Sequence, residues 1–262
     1  MSDVPQIFDA RLRRRRRGRA ASGFAQFSFL ADAVGEELGD RIAATPRPFS
    51  RAVWCGALDA PDVKDIAWVR GDAMERFVPR GGVVFEEEHL PFGERTLELY
   101  VSALTLHAVN DLPGALMQIR RSLKPDCLFM AALFGGQTLH ELRTCLAEAE
   151  IEIDGGLSPR VAPFVDVRDA GALLQRAGFG QPVADVDAIT VRYEHPLKLL
   201  ADLRGMGETN VLTQRRRRFL KRRVLARAFD IYTERYRGSD GRVPATFEIL
   251  YLTGWSPAKK PT

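Results

Sequence analysis

VVFEEEHLPF (83–92), TLELYVSALTLHAVND (96–111), LPGALMQIRRSLKPD (112–126) and CLFMAALFGG (127–136) decide how this chain is read. Three short apolar runs end in acids, small residues or glycines, and the one amphipathic helical pattern between them, Leu112 to Leu123, lies where a crossover belongs. That is the signature of consecutive parallel strands in a wound α/β sheet. In such sheets the ligand site lies beyond the carboxyl ends of the strands. Those ends carry Glu86, Glu87 and Glu88, then Ser102 to His107, then Gly135 and Gly136.

Around this centre, 262 residues with 45% hydrophobic content can bury one substantial core. The expected division is a basic N-terminal helical cover over residues 1–48 and a single domain over 49–262. Helical insertions are expected at about 137–180 and 196–238. Cys55, Cys127 and Cys145 are an odd set without metal-ligand spacing, so neither a disulfide framework nor a metal site is expected. A reducing, cytoplasmic setting follows as the expectation. The net charge of +4 is concentrated in two runs, which gives nucleic acid little support as a partner. No run of about eighteen apolar residues is present to span a membrane. Arg13 to Arg17 outline a twin-arginine leader, but Gln26, Ser28 and Asp32 interrupt the apolar core such a leader needs and no small-residue cleavage site is seen, so the stretch reads as mature protein.

In chain order, Phe24, Phe27, Leu30, Ala31, Val34 and Leu38 recur at helical spacing, and the five arginines before them read as a solvated helix face, with contact to an acidic partner, nucleic acid or an anionic membrane surface as the sharper alternative. Phe49–Val53 is a short first strand, Asp59–Ile66 a helix of about one turn at most because of Pro61, and Ile66–Val69 the second strand. Asp72, with Ala73 and Met74 beside it, follows that strand. It is either the acid that accepts from ribose hydroxyls in Rossmann-like folds or a helix N-cap. His107 is either a packed histidine or a general base, with no carboxylate partner legible in the sequence. Helices are expected from Thr138, over 169–177 and over 196–204. Arg215 to Arg223 should begin a further helix whose buried side is Phe219 and Leu220. Phe247–Leu252 is the closing strand, and no residue is singled out as catalytic.

Glu86 before Leu90-Pro91-Phe92, and Ser102, Leu104, Leu106 and His107 before Val109-Asn110-Asp111-Leu112-Pro113, resemble the class I S-adenosylmethionine-dependent methyltransferases. Ile7-Phe8-Asp9, Glu141-Leu142-Arg143, Ser158-Pro159, Gly205-Met206-Gly207-Glu208, Pro244-Ala245-Thr246 and Gly254-Trp255 extend the likeness across nearly the whole chain. They resemble the branch that holds the methyltransferase-fold assembly factor of mitochondrial complex I, an arginine hydroxylase, and more distantly the biotin-pathway malonyl-acyl-carrier-protein methyltransferase.

The resemblance implies a Rossmann-like α/β sheet of seven strands whose last strand enters antiparallel. It implies S-adenosylmethionine as cofactor, held by Cys55, Gly56, Asp72, Ala73, Met74, Glu86, Glu87, Ser102 and His107. Of the three acids, Glu86 is favoured as the adenine contact, with the other two as solvated neighbours. Glu208 and Asn210 lie on the substrate side. The implied role is modification of a protein substrate, an arginine of a complex I subunit, during complex I assembly. The alternatives are an inactive methyltransferase-fold scaffold and an acyl-carrier or small-molecule methyltransferase.

One departure from the family pattern bears on all of these. In Ala52-Val53-Trp54-Cys55-Gly56-Ala57-Leu58 only Gly56 survives of a glycine loop that lets backbone amides approach the cofactor. Trp54 and Leu58 are expected to fill the pocket or push the loop outward. Glycine at both positions should then raise cofactor affinity.

Overall fold

The structure is a computed structural model, and it describes residues 4–63 and 65–258. Its strands are β1 (Arg51–Cys55), β2 (Ala67–Asp72), β3 (Val83–Val84), β4 (Leu97–Ala103), β5 (Leu123–Phe134), β6 (Gly180–Tyr193) and β7 (Val243–Trp255). They form one sheet in the order β3-β2-β1-β4-β5-β7-β6. From β3 to β5 neighbours run parallel, and β7 lies antiparallel between β5 and β6. The helices are α1 (Ala10–Ala20), α2 (Phe29–Ala43), α3 (Leu112–Ser122), α4 (His140–Asp154), α5 (Val167–Ala177), α6 (Pro196–Gly205) and α7 (Arg222–Tyr236).

The apolar run at the centre of the sequence is the centre of the sheet. Along β5, Leu128, Met130, Ala132 and Phe134 enter one core layer, while Cys127, Phe129, Ala131 and Leu133 enter the other. Side chains of a strand alternate between faces, so a strand buried on both sides must be apolar at every position. Helix α3 forms because Asp111 caps it, accepting from the Gly114 amide at 2.8 Å, with Pro113 in its first turn. It buries Ala115, Leu116 and Ile119 on the sheet. Glu98 ties together the amino ends of β1, β4 and β5 by accepting from the Ser50 amide at 2.7 Å and from Lys124 at 2.6 Å. Those bonds pull its pKa down to about 2.

Several sequence motifs turn out to be bound to one another. Glu141, buried at the start of α4, accepts from the Thr246 hydroxyl at 2.5 Å and amide at 3.2 Å. The Tyr232 hydroxyl donates to the Pro244 carbonyl at 2.7 Å. Glu150 accepts from the Ser158 amide at 2.9 Å and pairs with Arg160. These bonds fix the helices after β5 and between β6 and β7 over the carboxyl end of the sheet.

The structure corrects six expectations. Strand β1 begins at Arg51, two residues later than expected. Among the described residues no helix joins β1 to β2: Pro61 packs against Gly39, and Leu58 approaches Gly35, so α2 covers the face a crossover helix would take. The Phe24–Leu38 pattern is broken, since residues 21–26 form a 3-10 turn and α2 starts at Phe29. Lys124-Pro125-Asp126 does not separate helix from strand, because β5 runs through it from Leu123. The second arginine run is not helical before Arg222, and Phe219, expected on a buried side, is 99% exposed. Glu87, expected to be solvated, is buried at 5% exposure.

Candidate functional site

At the carboxyl ends of β1, β2 and β4, three hollows adjoin. The first, about 40 Å³, is lined by Cys55, Asp72, Ala73, Met74, Glu86 and Glu87, together with Thr105, Arg13, Arg14 and Arg17. The second, about 30 Å³, is walled by Phe24, Phe27, Leu58, Ala103, Phe134 and Glu208. The third is an apolar cavity of about 270 Å³ framed by Phe134, Leu142, Phe164, Leu203 and Phe247, with His107, Glu208 and Asn210 among its polar members. Arg17 borders the first two hollows and Glu208 the last two.

Six of the expected cofactor-side residues, Cys55, Asp72, Ala73, Met74, Glu86 and Glu87, thus gather about one hollow. Three do not. Ser102 is fully buried at the end of β4, its hydroxyl 2.7 Å from that of Thr105. His107 lines the apolar cavity instead. Gly56 serves backbone packing: its φ is +152°, and a Cβ there would sit 2.7 Å from the Ala103 carbonyl oxygen. Asn210 donates to the Pro159 carbonyl at 2.8 Å and accepts from the Leu212 amide at 3.0 Å, which makes it a loop brace.

Trp54 is fully buried among core residues and meets Trp68 edge-on at 5.8 Å. It lines none of the three hollows. The expectation that it blocks the pocket fails because β1 turns it into the layer beneath α2. Leu58 does line the second hollow, so that half of the expectation agrees with its placement.

The residue missed in the sequence is Arg17. From α1 it reaches into the cleft, its guanidinium 2.7 Å from Asp72 Oδ2 and 3.2 Å from Glu208 Oε1, with its side chain 7% exposed. The other Asp72 oxygen accepts from the Met74 amide at 2.7 Å. Burial opposes the charge on Arg17, but the two carboxylates outweigh it and raise its pKa above the ordinary value. Neighbouring arginines bind the same rim: Arg13 donates to the Thr105 carbonyl at 2.8 Å, Arg14 pairs with Glu86, and Arg16 donates to Thr209 at 2.9 Å. The solvated reading of this run therefore fails at Arg17. The available signal was i, i+4 spacing, which puts Arg13 and Arg17 on one helix face.

Glu208 also supplies the carboxylate that His107 lacked in sequence, with His107 Nε2 3.1 Å from its Oε2. Despite burial, His107 and Arg17 hold Glu208 down at about pKa 2, so it is the acceptor and Nε2 carries the proton. His107 Nδ1 then presents a lone pair, and it has no hydrogen-bond partner among the described residues. The ring lies 4.6 Å from Phe134 and 5.7 Å from Phe164, and burial pushes its pKa down.

This pairing makes stability depend on pH. The unfolded histidine takes up a proton below about 6.5 while the folded one resists. Stability should therefore fall as pH drops below 6.5, by at most about 1.4 kcal/mol per pH unit, and the Glu208 contribution is lost from 4.5 down toward 2. Urea denaturation at pH 7.5 and 5.5 should show the wild type losing more stability than His107→Gln. Parallel losses would count against the buried neutral imidazole.

With Arg17 seated, the hollows leave no room for S-adenosylmethionine. Pockets for ligands of that size run to roughly 300–1,000 Å³, whereas the nucleoside-side hollow has about 40 Å³ and Arg17 stands between it and the second. Each oxygen of Asp72 already accepts one hydrogen bond, from Arg17 and from the Met74 amide, and the Arg17 side chain occupies the approach to it.

A seven-stranded sheet in this order, with its cleft at the parallel strand ends, is the class I methyltransferase fold. The YcgJ protein from Bacillus subtilis shares it, with a TM-score of 0.56 at 11% identity over 85% of this chain and 98% of that one. A family model described as a methyltransferase domain matches residues 65–131. Within that class, the chain belongs to the family of the arginine-hydroxylase NDUFAF5: it is 42% identical to the mitochondrial protein of Mus musculus over 95% of its own length and 77% of the relative's. The malonyl-[acyl-carrier protein] O-methyltransferase of Halorhodospira halophila is 38% identical over 66% of this chain and 56% of that protein. The cytoplasmic expectation is overturned by the NDUFAF5 relatives, which are named mitochondrial. A reducing environment for the three cysteines does not distinguish one compartment from another.

Proposed function

We propose that this protein serves the assembly of respiratory complex I by taking an arginine side chain of a complex I subunit into the cleft between Asp72 and Glu208. The observation that carries this reading is the seat of Arg17. A guanidinium lies there between two carboxylates, out of water, in the charge-assisted geometry that favours arginine over lysine. Beside it, Glu208 orients His107 so that its free Nδ1 lone pair is available to a neighbouring proton. The apolar cavity beyond takes uncharged side chains flanking the target arginine. Membership of a family whose relatives are named arginine hydroxylases supports the same choice of side chain.

A second reading, assembly by binding alone without turnover, is favoured by the lack of a crossover helix after β1 among the described residues and by the small hollow beside Asp72.

Deletion of the gene should abolish assembled complex I on native gels, with rescue by the wild type and not by Glu208→Gln. Normal complex I in the deletion strain would overturn the proposal. Mass spectrometry of the subunits divides the two readings: an arginine that gains an oxygen or a methyl group only when this protein is present marks turnover, and dependence of assembly without such a residue marks the binding role.

A further inference from the structure

Helix α1 is an unusual cover because little apolar surface holds it. Only Leu12, Arg17 and Ala20 are buried along its length. What fastens it to the cleft is a row of polar contacts: Arg13 to Thr105, Arg14 to Glu86, Arg16 to Thr209 and Arg17 to Asp72 and Glu208. The facing loop is shaped to receive it. Gly207 has φ +81° and lies so close that a Cβ would be 3.1 Å from Arg17 Cα and 3.4 Å from the Ala20 Cβ. The Arg17 guanidinium also lies 5.0 Å from the centre of the Phe77 ring.

We infer that α1 is an intrasteric strap: Arg17 is the resident ligand of the cleft's guanidinium seat, and a partner's arginine or an adenosyl ligand enters by displacing it. The inference rests on the reading of Asp72 and Glu208 as a guanidinium seat. Three observations lead to it. Arg17 is bonded to Asp72, and with Arg13 and Arg14 it lines the hollow beside that acid. It presents the same chemical group as the proposed substrate. Its attachment is mostly ionic and hydrogen-bonded, so a competitor can release it without opening either core layer, and salt weakens it. The five-arginine run thereby acquires a role: one side chain plugs the seat and its neighbours zip the helix along the rim.

The test is calorimetric titration of the full chain with S-adenosylhomocysteine and with N-acetyl-arginine amide, in the wild type, Arg17→Met and Arg17→Lys. Methionine keeps an apolar stem and removes the competing guanidinium; lysine keeps the charge but not the two-pronged donor. Arg17→Met should bind each ligand at least tenfold more tightly than wild type, with Arg17→Lys in between, and each ligand should weaken the other. Hydrogen exchange on the wild type gives a readout that does not depend on the variants folding: amides of residues 10–20 should lose protection at saturating N-acetyl-arginine amide. Equal affinities in all three proteins, undetectable binding included, or unchanged protection of α1 would overturn the strap. A normal complex I in the deletion strain would remove the assembly role and leave these binding results standing, so the two failures are separable.

Discussion

Trp54→Gly is expected to cost about 3–5 kcal/mol of stability, the range for emptying a buried tryptophan site, and to leave affinity for S-adenosylhomocysteine unchanged. From the sequence alone the opposite result is expected, because Trp54 falls where the family has the first glycine of its cofactor loop. The side chain is fully buried, packs edge-on against Trp68 and belongs to the layer that includes Leu38, Val101 and Met130. Removing it opens a cavity under α2 and puts glycine in a strand interior, where it also loses conformational entropy. For a chain of this size the melting temperature should fall by roughly 10 °C. A variant that melts like the wild type, or that binds the nucleoside better, would show that the indole does face the cleft. Leu58, which lines the second hollow, is the residue of the pair whose trimming changes the cleft.

Asp72→Ala is expected to cost about 3 kcal/mol or more, because it strands a buried guanidinium with Glu208 as its remaining carboxylate. The asymmetry between breaking a buried pair and removing both of its members gives the second arm. Arg17→Met combined with Asp72→Ala should cost less than the sum of the two single changes, with a coupling of about 1–3 kcal/mol. Urea denaturation of the three variants measures it. A single Asp72→Ala protein within about 0.5 kcal/mol of wild type, the scatter of ordinary surface changes, would place Arg17 in solvent and undo the account of the cleft.

These two residues show what local sequence reading reaches. Asp72 and Glu86 were legible as cleft residues because each lies at or just past the carboxyl end of a strand, and in a wound sheet that end is a position as well as a direction. Trp54 was misjudged although it too sits at a strand end. The period-2 alternation of β1 decides which face a side chain enters, and with the crossover helix missing nothing local announces that α2 will cover that face. Arg17 was invisible for a different reason. Burial is inferred from apolar residues at helical spacing, and α1 has no such stripe; its inward face is ionic, and its partners lie 55 and 191 positions away. His107 and Glu208, separated by 101 positions, are paired only by the loop that follows α6.

By itself the sequence determined the wound sheet and the strand ends that wall the cleft, since apolar periodicity and turn residues act over a few neighbours and need no distant partner; the antiparallel entry of the closing strand was implied only by the family resemblance. Only the tertiary structure decided what fills that cleft. A buried charge is stable only where opposite charges converge on it, and Asp72 and Glu208 meet around Arg17 because separate elements are folded over the same end of the sheet.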